Sequence, residues 1–234
     1  MSPDEKAWQD IRSRIAAAAR ATGHDPASIR ILAVSKSFSV QAIQNAYVLG
    51  QRAFGENYVQ EAQPKIDALA GLSGIEWHLI GPLQSNKARA AARSFAWIET
   101  IDRYAIAQRL STARDPRLPP VNVCIQVNIS GEIAKHGALP STALALARDI
   151  AGLPGLMLRG FMGIAQTAGD SGTARAQFHV LRELYDAGRS EGLALDTLSM
   201  GMSSDFESAI AEGATQLRIG SALFGPRDSA PRAH

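Results

Sequence analysis

Apolar positions along the chain alternate between short continuous runs and longer stretches at helical spacing. Trp8, Ile11, Ile15 and Ala18 recur at the helix period between Pro3 and about Ala21, with Asp4 and Glu5 placed to complement a helix N-terminus. After Gly23 and Pro26, the run Ile31-Leu32-Ala33-Val34-Ser35 is apolar on both faces, the pattern of a parallel strand buried on two sides. A helix pattern from about Val40 to Leu49 follows. The alternation repeats with a strand at Ala53-Phe54-Gly55, a helix from about Tyr58 to Leu69, a strand at Trp77-His78-Leu79-Ile80 and a helix from Ser85 to Arg93. Further strands centre on Trp97-Ile98-Glu99, Val123 to Val127, Leu158 to Met162 and Thr197-Leu198-Ser199, and Gln216-Leu217-Arg218-Ile219 is the eighth. This pattern predicts an α/β fold, a closed (β/α)8 TIM-type barrel with an extra N-terminal helix; a doubly wound open sheet has the same local signature. At 234 residues the chain fits such a barrel as one domain over 1–234, with 226–234 read as a loose tail. Either architecture gathers ligands at the C-terminal ends of its strands.

Charge narrows the function classes. A formal net charge of +2 gives no strong field for nucleic acid or an anionic membrane. Lys87, Arg89 and Arg93 share one helix pattern with little aromatic interleaving and read as a solvated face. The acidic start is unlike a signal peptide, and no apolar run reaches the roughly 18 residues of a membrane helix, so a cytoplasmic protein is expected. Cys124, the single cysteine, lies in an apolar run and is expected to be buried and inert. The histidines are scattered and form no metal-ligand pair.

Candidate chemistry sits where apolar runs end. Lys36, between Ser35 and Ser37, is placed at the mouth of the predicted barrel. Near low-dielectric walls an amine loses part of its preference for the charged form, and the neutral amine is the species that condenses with an aldehyde. A solvated lysine at a strand end fits the same position. The loops after strands seven and eight often hold phosphate in such barrels, because backbone N–H groups there favour an anion. Ser199, Gly201, Ser203, Gly220 and Ser221 supply hydroxyls and open backbone in those loops, and Ser203 also fits a helix N-cap. Period-two alternation turns Arg218 away from Leu217 and Ile219 and into the barrel. Its guanidinium needs an acceptor there, either a pyridine nitrogen or a carboxylate such as Glu99 or Glu56.

Ala33-Val34-Ser35-Lys36, Phe54-Gly55-Glu56-Asn57-Tyr58, the run from His78 to Lys87, Leu198-Ser199-Met200-Gly201-Met202-Ser203 and Arg218-Ile219-Gly220-Ser221 follow one another across nearly the whole chain. Together they resemble the pyridoxal phosphate homeostasis protein family. The resemblance implies a barrel like the N-terminal domain of bacterial alanine racemase, with pyridoxal 5′-phosphate (PLP) held as a Schiff base on Lys36. It also implies a phosphate held by Ser203, Gly220, Ser221 and Ser199, Arg218 facing the pyridine nitrogen, Asn57 near the cofactor, and His78 and Met200 lining the pocket. Ala165 stands where the family pattern has a proline, which bears on the shape of that loop and on none of the cofactor contacts. In the loop from Asn128 to Gly137, Lys135 fits either a contact to an incoming phosphate or a solvated lysine.

The function so implied is storage, buffering or delivery of PLP in vitamin B6 balance, without turnover, with PLP-dependent apo-enzymes as recipients. The alternative is a PLP-dependent amino-acid racemase. Two-base racemisation needs acid/base groups on both faces of a planar intermediate. Lys36 supplies one, and the sequence shows no clear second, which alanine racemase takes from a second domain of its partner subunit. Without that domain's dimer contact, a monomer is expected.

Overall fold

The computed structural model describes residues 3–132, 135–166 and 170–225. The tail expected over 226–234, and Ile133 and Ala134 in the loop after the fifth strand, lie outside the described residues. Eight strands, β1 (Arg30–Val34), β2 (Ala53–Glu56), β3 (Glu76–Leu79), β4 (Trp97–Ile101), β5 (Val121–Val127), β6 (Leu156–Gly163), β7 (Thr197–Ser199) and β8 (Gln216–Ile219), pair in sequence order and close into a barrel. Every pairing is parallel, and β1 meets β8 in the register Arg30 to Gln216 through Ala33 to Ile219, which excludes the open sheet. The helices are α1 (Pro3–Ala21), α2 (Val40–Val48), α3 (Val59–Ala68), α4 (Ala88–Ser94), α5 (Tyr104–Ala113), α6 (Pro140–Ala151), α7 (Ser171–Ser190), α8 (Phe206–Ala211) and α9 (Ser221–Phe224).

The main apolar core lies between the strands and the helices, where outward residues such as Phe54, Phe161, Leu217 and Ile219 meet Phe178 and Phe206. The extra helix α1 packs on α8 and α9 through Trp8, Ile11, Ile15 and Ala19. Ala19 is the fully buried member of that stripe and Ala18 only borders it, a shift of one position from the expected pattern. Burying each of the three large side chains stabilises by about 1.5–3 kcal/mol.

Inside the barrel, Trp97, Cys124 and Met162 form a small separate apolar cluster. Cys124 is buried as expected, and desolvation pushes its thiol well above the ordinary range. Trp97 also lies under the guanidinium groups of Arg30 and Arg159, 5.6 and 5.0 Å from the ring centroid, so cation–π contacts fill the N-terminal end of the barrel. Gly160 is obligatory nearby: it has φ +156°, and a Cβ there would lie 1.8 Å from the Thr197 carbonyl oxygen. Among the described residues, no helix is long and apolar enough to cross a membrane, and no group of three or more His, Cys, Asp or Glu is placed to hold a metal ion.

Candidate functional site

Lys36 follows the C-terminal end of β1, half-buried, in a turn closed by the Phe38 N–H on the Ser35 carbonyl at 3.0 Å. Because β1 and β8 are neighbours, the loop after β8 reaches the same corner of the mouth. A Cβ on Gly220 would lie 3.4 Å from Val34, so that loop passes close to the strand that leads into Lys36. Ser221, exposed, begins α9. The loop after β7 adjoins it, since Gly201 accepts a hydrogen bond from the Arg218 N–H at 3.0 Å. Gly201 has φ +91° and approaches α8 so closely that a Cβ would meet Ala209 Cβ at 2.6 Å.

Ser203 is half-buried in the turn that follows. It does not cap α8: the cap position belongs to Asp205, whose carboxylate accepts from the Met202 N–H at 2.5 Å. Burial pushes the Asp205 carboxyl above its usual range. Ser203 stands in the turn at the mouth, outside the cap position. Amine, hydroxyls and loop backbone therefore share one arc, β7 to β8 to β1.

Beneath this arc, Arg218 points into the barrel and is buried. It makes no direct ion pair with Glu99 or Glu56. Its NH1 donates to the Ser199 carbonyl at 2.6 Å and the Ser199 hydroxyl at 2.8 Å, and its NH2 to the Gly163 carbonyl at 2.8 Å. These bonds occupy three of the five N–H donors of a guanidinium. Desolvation lowers its pKa from the usual value, and the charge of Glu99 opposes that.

The Ser199 hydroxyl passes the connection on, donating to Glu99 at 2.5 Å, and Gln216 donates to the same carboxylate at 2.8 Å. On its other side Glu99 meets His78 Nδ1 at 2.6 Å. Both residues are fully buried. Desolvation drives the His78 pKa down and keeps the ring neutral. Burial alone would raise the Glu99 carboxyl, but the hydrogen bond and charge of its partners hold it below its ordinary range. The proton therefore sits on Nδ1, donated to a carboxylate, and Nε2 is an acceptor with no hydrogen-bond partner. The ring stacks on Trp97, with centroids 5.1 Å apart and planes at 6°.

His78 consequently belongs to the polar interior below the mouth and reaches Arg218 only through Glu99 and Ser199. Met200 is also fully buried, with its side chain in the main core, so only its backbone stands at the strand end. Asn57 is half-buried past β2 and lines a cleft of about 290 Å³ across the mouth with Ile80, Gln126, Asn128, His136 and Ile164. Lys135 borders that cleft, paired with Glu132 at 2.5 Å. Ala165 is buried in the main core beside it.

Two groups of site residues escaped the sequence reading. In the sequence Glu99 stands only as a carboxylate that could partner Arg218, and Gln216, on the same face as Arg218, reads as ordinary strand. Lys65, on α3, reaches Glu56 and the residue before Lys36, and nothing in local spacing marks a contact between positions 30 residues apart.

The fold and the arc of polar loop ends define a barrel of the alanine racemase N-terminal class, and the family model of that description, "Alanine racemase, N-terminal domain", matches residues 8–228. A pyridoxal phosphate homeostasis protein of Pseudomonas aeruginosa is 51% identical over 218 residues, 93% of each chain. One of Escherichia coli is 48% identical over 223 residues, 93% of this chain and 94% of the other. The solved structure of PipY of Synechococcus elongatus with PLP bound is 36% identical, with a TM-score of 0.83 over 95% of this chain and 100% of that one. The chain belongs to the pyridoxal phosphate homeostasis protein family.

Proposed function

We propose that this protein binds PLP covalently through Lys36 and holds it for storage, buffering or delivery in vitamin B6 balance, without turnover of its own. The observation that carries the reading is the meeting of the Lys36 turn with the loops after β7 and β8 at one corner of the mouth. The residues fit the group. Ser203, Ser221 and the Gly220 backbone are available to a phosphate, and Arg218, below them, has donors left for a ring nitrogen. Ser199 fixes Arg218, Met200 would contribute backbone, Asn57 would flank the ring, and His78 would support the arrangement from beneath. When bound, PLP supplies an aldehyde that a neutral amine captures with loss of water.

The chain's own groups account for holding. An always-charged guanidinium placed to hold the ring nitrogen would disfavour its protonation, which would make the ring a weaker electron sink for carbanion chemistry. Reversible exchange of amines needs no carbanion. The recipients on this reading are apo-enzymes that present a lysine amine, and the protein acts as a monomer in the cytoplasm. The test is the visible absorption spectrum after incubation with PLP, followed by borohydride reduction and peptide mapping of wild type and Lys36→Ala. The expected result is an imine band that reduction fixes onto Lys36 and that Lys36→Ala lacks while keeping its circular dichroism. A wild type that stays colourless refutes the reading, and turnover in an amino-acid racemase assay refutes the carrier role.

A further inference from the structure

The turn that carries Lys36 is held from outside the barrel by a buried ion pair. The Lys65 ammonium lies 2.8 Å from Glu56, with side chains 13% and 0% exposed. The same ammonium donates to the Ser35 carbonyl at 2.9 Å, and the Ser35 hydroxyl donates to the same Glu56 oxygen at 2.6 Å. The Ser35 N–H donates to the Gly55 carbonyl at 2.9 Å. The residue immediately before Lys36 is thus fixed through its N–H, hydroxyl and carbonyl at once.

Beyond Lys36, the Phe38 N–H returns to that same Ser35 carbonyl at 3.0 Å, and the Phe38 ring lies 4.8 Å from Phe224. Lys36 and Ser37 form the centre of the turn. Ser37 has φ +66°, alone among the described non-glycine residues in being positive, at the turn position that glycine or asparagine ordinarily fills. Such a conformation persists where the surroundings over-determine it, and strained backbone of this kind clusters at ligand sites. A buried ion pair is a weak source of stability, since apolar replacements of similar volume are often as stable or more so. What Lys65 and Glu56 supply is geometry at Ser35.

We propose that Lys65 and Glu56 are positioning residues for Lys36: their ion pair locks the Ser35 to Phe38 turn so that the Lys36 amine meets an aldehyde ligand in a single orientation. The inference rests on Lys36 being the attachment lysine. In that step the Lys36 nitrogen bonds to the aldehyde carbon, and the aldehyde oxygen leaves as water with the two amine protons.

The test compares the wild-type full chain with Glu56→Leu/Lys65→Met, which replaces both charges with apolar groups of similar size, and with Ser35→Ala, which keeps the pair. Two quantities are read: hydrogen exchange of the Phe38 amide in the cofactor-free protein, and the rate at which PLP is captured on Lys36, trapped by borohydride and mapped by mass. The double variant is expected to keep the wild-type circular dichroism, to exchange the Phe38 amide on the order of tenfold faster, and to capture PLP on the order of tenfold more slowly. Ser35→Ala is expected to move both readouts in the same direction by less, and it carries the test by itself if the double variant does not fold. Capture at the wild-type rate in a folded variant overturns the inference alone. Absence of label on Lys36 in the wild type overturns it together with the proposed function.

Discussion

Neutral, fully buried His78 makes the stability of the barrel depend on pH in a way that a single substitution removes. Its folded pKa is depressed by burial, whereas in the unfolded chain it returns to the ordinary 6.5. Below that value the unfolded state takes up a proton that the folded state refuses, so stability falls as pH drops from 6.5 toward the folded pKa. While the folded ring stays neutral, the loss is RT ln(1 + 10^(6.5−pH)), negligible at pH 7 and at most about 2 kcal/mol at pH 5. In the wild type Glu99 lies outside this window. A depressed carboxyl contributes stability that is fully present above its unfolded value of 4.5 and is lost only as pH falls below it, through the folded pKa. His78→Gln keeps an N–H for Glu99 and carries no charge at any pH. Urea unfolding of the cofactor-free protein at pH 7 and pH 5 is therefore expected to show wild type losing up to about 2 kcal/mol more than His78→Gln over the same interval. The remaining histidines are common to both proteins and cancel in the difference. Equal losses would show that His78 is protonated in the folded state and would refute the assignment of Nε2 as a bare acceptor.

Arg218→Leu removes the cation whose charge reaches buried Glu99 past Ser199 and is expected to destabilise by up to about 3–5 kcal/mol in thermal unfolding, with Glu99→Leu/Arg218→Leu recovering part of that. No recovery would mean that the two charges do not compensate each other through Ser199. Cys124, fully buried with a thiol pushed well above its ordinary pKa, is expected to react with an exposed-thiol reagent only as fast as the protein unfolds. Rapid labelling of the folded protein would contradict its burial.

What was legible in the sequence was governed by local pattern. The eight apolar runs became eight strands because a parallel strand buried on two sides needs apolar residues on both faces, a requirement that survives without tertiary information. Arg218 was aimed correctly by alternation alone. Where the reading fell short, the cause was long-range. Ser203 sits where a helix cap would, yet Asp205 takes that position. Met200 alternates to the helix side, so its side chain joins the main core. His78 lies on the inner face two residues below Ile80, and strand order gives its face but not its depth. Glu99, on β4, and Ser199, on β7, are 100 positions apart, and only closure of the barrel brings them together.

The two buried ionic arrangements share a logic. A barrel interior fills well with branched apolar side chains, and polar groups taken from water stabilise less than such a filling. This chain nevertheless buries Glu99, His78, Gln216 and Arg218 inside the barrel, and Glu56 with Lys65 outside it. Each set ends at one group at or just below the mouth: the first fixes the guanidinium of Arg218 through Ser199, the second fixes the backbone of Lys36 through Ser35. Polar burial is thus concentrated beneath the two basic side chains that the proposed function sets against the two ends of one small ligand, its aldehyde and its ring nitrogen. A preformed pair of that kind favours tight and specific retention, because little freedom remains to be lost on binding. On that reading, release would depend on a competing amine entering from the open side of the mouth, where Asn57 and the cleft beyond it lie.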